Sequence, residues 1–241
     1  MRFARLLHTK PISLPVHFRL VKPDASIAKS LNAEDAIDTP SPIAIVVPDE
    51  SQHFNDPQLT SHAQRIANGT GAYVLIPSVE DLSHEQQLTR LSESIDILRA
   101  DEFKKRKIAS VGFGYGGSLA FELGAKRQKE NKSPLNGCVS FYGIPKDNPD
   151  VISLPIGTPV QAHFGQDQKE TAFKLDELWM NELQRQGGFH SKGNHSFEES
   201  IYVYPNVSHG FMNEKPGINL DVVSKVWRNV FGFLTEHLKT V

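Results

Sequence analysis

The sequence predicts a single α/β domain, a mostly parallel sheet with helices on both faces. Three observations carry the prediction. Short, continuous apolar runs such as Ile43–Val47 (IAIVV), with no polar alternation, suit strands buried on both sides. Amphipathic stretches of ten or more residues separate those runs, the rhythm of strand–helix–strand units. Neither an internal repeat nor a linker-like stretch divides the chain, and 241 residues suit one domain of the larger α/β kind.

Taken in order, Pro15–Lys22 alternates, with Val16, Phe18 and Leu20 on one side, and predicts a half-exposed strand. Residues 23–42 are polar and proline-punctuated and are expected to form a surface loop. After the strand at Ile43–Val47, Asp56-Pro57 supplies an N-cap and a proline in the first helical turn. Leu59, Ala63, Ile66 and Ala67 make that helix's apolar stripe, with Gly69 as its expected stop. Tyr73–Ile76 is the next strand, and Leu88, Leu91, Ile95 and Leu98 space a helix over Ser83–Phe103. Strands follow at Ile108–Val111, Gly137–Tyr142, Val160–Phe164 and Ile201–Tyr204. Helices are expected at Thr171–Gln186 and Leu220–Leu238, and a loop at 187–200.

Composition narrows the function. A net charge of -2 gives no electrostatic reason to expect nucleic acid or an anionic membrane as partner. Cys138 is the only cysteine, which rules out an intrachain disulfide and a cysteine-based metal site. His190, His195 and His209 cluster in sequence, but the first two sit in a Gly/Ser-rich loop and are expected to be solvated rather than metal-bound. No apolar run of signal-peptide or membrane-span length is present, and a cytoplasmic protein without cofactor, acting on a small molecule, is expected.

The stretch that bears on chemistry is Lys107–Lys126 (KIASVGFGYGGSLAFELGAK). Strand, glycine turn, helix is the layout of a nucleophile elbow, G-x-(Ser/Cys)-x-G, with the nucleophile at the apex. Here the apex is Gly114, without a side chain. Asp167 follows one strand in HFGQD, and His209 follows another in YPNVSHGF. Nucleophile position, acid, histidine is the triad order of α/β-hydrolases, the acid orienting an imidazole that takes and returns a proton. The backbone N–H of Tyr115 would be one oxyanion donor, with another near Asp49 or Glu50. Gly112, Gly114 and Gly117 also spell G-x-G-x-x-G, but the following strand ends in Phe141-Tyr142-Gly143 without the acid that a dinucleotide site expects.

Four segments together resemble the dienelactone hydrolase family: the elbow GFGYGG, the strand end FYG, HFGQD and YPNVSHGF. The resemblance extends from about Val16 to Leu238 and implies an α/β-hydrolase fold and ester or lactone hydrolysis. By position, the family's cysteine nucleophile falls on Gly114, and the glutamate that restrains its resting thiol falls nearest Asp49. The family's arginine- and tyrosine-bearing pocket segment is shortened to SVEDLSHEQQ. These departures lead to the expectation of an impaired or altered hydrolase, with a non-catalytic ligand-binding protein as the alternative and nucleotide binding at Gly112–Gly117 a further one.

Overall fold

The computed structural model describes residues 17–24, 42–49, 52, 54–99, 106–143, 149–185, 201–213, 217 and 219–239. Seven strands form one sheet: β1 (Phe18–Val21), β2 (Ile43–Val47), β3 (Tyr73–Pro77), β4 (Ile108–Phe113), β5 (Gly137–Phe141), β6 (Val160–Gly165) and β7 (Ile201–Tyr204). Their spatial order is β1-β3-β2-β4-β5-β6-β7. Only β1 runs antiparallel, pairing Phe18 with Pro77 along the edge strand. The other pairings are parallel, with Val47 opposite Gly112 and Phe113 opposite Phe141.

Alternation along the buried strands divides the core in two. Ile43, Ile45 and Val47 face one layer, built with α2 (His84–Arg99), α3 (Tyr115–Lys129) and α6 (Lys169–Arg185). Ala44 and Val46 face the other, built with α1 (Pro57–Thr70) and α7 (Leu220–Leu238). Every residue of β2, β4, β5 and β6 is buried, which explains their unbroken apolar runs. Two short helices, α4 (Pro149–Ile152) and α5 (Leu154–Gly157), were not legible in the sequence.

Helix ends differ from expectation for local reasons. Gly69 does not stop α1. A Cβ there would run into the Phe231 ring, so this glycine serves packing, while Gly71 (φ 71°) takes the left-handed cap and donates to the Ala67 carbonyl at 2.9 Å. α6 starts at Lys169, two residues earlier than expected, because a 3-10 turn over Gln166–Gln168 feeds directly into it. The expected extensions of β1 before His17 and of α2 over 100–103 lie outside the described residues, as do most of the two predicted loops. At the start of α1 the Asp56 carboxylate accepts from the N–H groups of Gln58 (2.8 Å) and Leu59 (3.0 Å). Asp56→Ala should lower stability by about 1 kcal/mol, read as a shift in urea midpoint without a change in slope.

Candidate functional site

The carboxyl ends of β2, β4 and β5 meet at Gly114, between β4 and α3. Gly114 has φ 53° and ψ −122°, a strained conformation of the kind an elbow apex adopts, and its N–H donates to the Phe141 carbonyl at 2.9 Å. A Cβ on Gly112 would overlap the Gly116 carbonyl, and one on Gly116 would overlap those of Val47 and Pro48. The glycine cluster therefore sets the close approach of helix to strands.

The space above Gly114 is filled. Asp49, just past the end of β2, places its carboxylate where a side chain at 114 would begin, so that a Cβ there would overlap Oδ1, Cγ and Oδ2. Its Oδ1 accepts the Tyr115 backbone N–H at 2.9 Å, the group expected to serve an oxyanion. A carboxylate at a helix N-terminus is electrostatically favoured, so the arrangement is stable as it stands. The backbone of Asp49 is held by Gln52, whose Oε1 accepts from its N–H (3.2 Å) and whose own N–H donates to its carbonyl (2.9 Å). Glu50 lies outside the described residues.

Tyr115 is anchored at its other end by the shortened segment. Gln87 Nε2 donates to the carbonyls of Val79 (2.9 Å) and Leu82 (3.2 Å), which leaves Oε1 to accept the Tyr115 hydroxyl at 2.6 Å. His84 Nδ1 lies 2.8 Å from the same phenol oxygen, and His84 Nε2 lies 2.6 Å from Glu122. These contacts fix the residue whose N–H faces Asp49.

Asp167 and His209 come together, though not as the triad order suggests. Both Asp167 carboxylate oxygens accept from the His209 backbone N–H, each at 3.0 Å. The exposed His209 ring instead packs on Tyr142, with centroids 4.8 Å apart at 55°. Tyr142 itself is unusual. It follows β5 with φ 47°, is 3% exposed, and its hydroxyl has no hydrogen-bond partner among the described residues. Burial pushes its phenol pKa up, and the negative charge of Asp49 pushes it further the same way. Gln168 Nε2 donates to the Tyr142 carbonyl at 3.1 Å. The sequence marked Tyr142 only as part of the FYG strand end and gave it no role, because its significance lies in a positive φ and a hydroxyl without a partner among the described residues.

Cys138 lies at the other end of its strand, fully buried, with its thiol pushed up to about 12 by desolvation, and it offers no nucleophile. Ser118 sits in the first turn of α3, donating its N–H to the Gly114 carbonyl at 3.3 Å. His190 and His195 lie outside the described residues, and among those described no His/Cys/Asp/Glu group could hold a metal ion. No described helix is long and apolar enough to cross a membrane.

The sequence matches the dienelactone hydrolase family over residues 64–238. No curated protein matches it. Among solved structures it is similar to a dienelactone hydrolase from Anabaena variabilis, at 15% identity over 93% of each chain with a TM-score of 0.62. It is also similar to a hyperthermophilic esterase from the archaeon Pyrobaculum calidifontis, at 14% identity over 81% of this chain and 76% of that one, TM-score 0.56. A thermostable esterase from Pseudomonas putida matches at 10% identity over 94% of this chain and 80% of that one, TM-score 0.62. At these identities the structural likeness speaks for the fold.

Proposed function

The chain belongs to the dienelactone hydrolase family, and from that premise we propose that it acts on a small molecule as a hydrolase of altered chemistry, impaired in acyl transfer at the elbow. One observation carries the reading: the Asp49 carboxylate stands in the space of the missing nucleophile and takes the Tyr115 N–H. An ester carbonyl entering this site meets neither a hydroxyl nor a thiol, and the donor that would stabilise its tetrahedral oxyanion already holds a charged acceptor. In this reading His209 is the base and Asp167 a positioning residue that fixes the loop bearing it through the backbone N–H. The same occupation of the helix N-terminus argues against a phosphate there, because a second anion would have to displace Asp49. The alternative, a ligand-binding protein without catalysis, draws on the same filled apex.

The test is hydrolysis of an activated ester and of a dienelactone by the native chain, beside His209→Ala. Turnover close to the uncatalysed rate, unchanged in His209→Ala, is the expected result. Brisk ester turnover that His209→Ala abolishes would sink the proposal, since it would mean an acyl-transfer route operates despite Asp49.

A further inference from the structure

The impaired elbow leaves a carboxylate in a distinctive setting, and the chemistry it can perform there differs from that of a serine or cysteine. Attack by a carboxylate on an ester carbonyl would give a mixed anhydride, less stable than the ester it came from. Attack on a saturated carbon gives an ester, which is a stable covalent intermediate. The geometry also suits the second half of such a reaction. With Oδ1 already 2.9 Å from the Tyr115 N–H, charge developing on that oxygen when water adds to Cγ falls where a donor is in place. A second observation points to the leaving oxygen. The Tyr142 hydroxyl is buried without a partner among the described residues, the next residue, Gly143, lies against the Gly114 carbonyl beside Asp49, and a buried O–H without an acceptor is costly unless a ligand supplies one.

We propose that Asp49 is a catalytic nucleophile toward small neutral epoxides, opening them to vicinal diols through an aspartyl ester. The proposal rests on the reading that Asp49 replaces the elbow nucleophile. In the first step Oδ2 attacks an epoxide carbon, the ring C–O bond breaks toward oxygen, and that oxygen takes the Tyr142 phenol proton. In the second, water adds to Cγ and gives a proton to His209, which packs on Tyr142. Collapse breaks the Cγ–Oδ2 bond, and the departing alkoxide takes the proton back from His209. The carboxylic acid left on Asp49 returns its proton to the Tyr142 phenolate. Net, one epoxide and one water give one diol, and the diol's new oxygen comes from Asp49 while the water's oxygen stays in the protein. The charge of Asp49 disfavours anionic substrates, which is why a neutral epoxide is named.

The native chain is incubated with styrene oxide and propylene oxide in water carrying heavy oxygen, and the peptide bearing Asp49 is analysed by mass. Heavy oxygen in Asp49 after turnover, and a one-substrate adduct on Asp49 that accumulates in His209→Gln, are the expected results. Asp49→Ala should abolish diol formation, and Tyr142→Phe should slow it by about 10²-fold or more. Because peptide mapping uses the native chain, a variant that folds poorly does not decide the matter. Diol formed with label only in the diol, or no label and no adduct with either epoxide, overturns the proposal. An activated ester run in parallel separates the two readings. An inert ester with unlabelled Asp49 removes the epoxide chemistry alone, whereas His209-dependent ester turnover removes the impaired-elbow reading beneath it.

Discussion

Gly114→Cys alone is expected to leave ester hydrolysis near background, and combining it with Asp49→Ala to raise kcat/KM by about 10²–10³-fold over the single variant. The reason is steric and electrostatic together. A Cβ on residue 114 overlaps the Asp49 carboxylate, so the new thiol forces that side chain aside but leaves its charge beside the apex. A nearby negative charge disfavours the thiolate and competes for the Tyr115 N–H. Removing the carboxylate frees both the volume and the donor. The backbone is already suited to the change, since φ 53° and ψ −122° are the strained values an elbow imposes on its nucleophile. The size of the gain follows from the donor: loss of one oxyanion N–H costs about 10²–10³ in turnover, so recovering one should return a similar factor. The measurement is hydrolysis of an activated ester by native chain, both single variants and the double. Equal rates for Gly114→Cys with and without Asp49 would show that the carboxylate does not obstruct the site.

The outcome at Asp49 shows where sequence reasoning stopped. Buried strands betray themselves because burial on two faces forces unbroken apolar runs, so β2 was readable to the residue and β3 to β6 to within two residues at their carboxyl ends. The elbow was readable because close approach of α3 to β4 admits only glycine at 112 and 116. What sequence spacing could not give is the direction in which a side chain points after a strand ends. Asp49 was placed near the apex, but its occupation of the apex depends on the torsions of one loop residue. Likewise Asp167 meets His209, but at its backbone N–H and not at the ring that the triad order implies, and the turn that presents that N–H, at 206–210, has positive φ at both Asn206 and Gly210. Tyr142 was legible only as part of the FYG strand end, for the same reason: an aromatic there reads as core until its hydroxyl is found without a partner among the described residues.

Acid should destabilise this protein steeply, through two histidines that belong to the scaffold rather than the site. His163, fully buried in β6, stacks between Phe141 (5.1 Å) and Tyr202 (5.2 Å). Its hydrogen bonds have room for one proton only. Gln161 Nε2 donates to the Asn229 carbonyl at 3.5 Å, so Gln161 Oε1 accepts from His163 Nε2 at 2.9 Å. Asn229 donates to the Tyr204 hydroxyl at 3.2 Å, which in turn donates to Nδ1 at 2.9 Å. Desolvation lowers the His163 pKa to about 3. His62 is 2% exposed, stacked 4.7 Å from Phe113, and neither ring nitrogen makes a hydrogen bond among the described residues. Its pKa falls to about 4, first through desolvation and then through the charge of Arg65, with the charge of Asp56 opposing. Both folded values lie below the unfolded value of 6.5, so the unfolded chain binds more protons in between. Stability is therefore full above pH 6.5 and declines as pH falls toward 4 for His62 and toward 3 for His163. At about pH 4.5 each should cost roughly 2–3 kcal/mol, a large share of a stability of about 5–15 kcal/mol. The depressed carboxylates Glu85 and Glu130 are largely exposed and act mainly below that pH. Urea midpoints measured at neutral pH and near pH 4.5 give the loss directly. His62→Phe keeps the stacked ring, removes two unpartnered nitrogens, and should shrink the pH-dependent loss by about half, whereas an unchanged dependence would mean that His62 takes up no proton on unfolding.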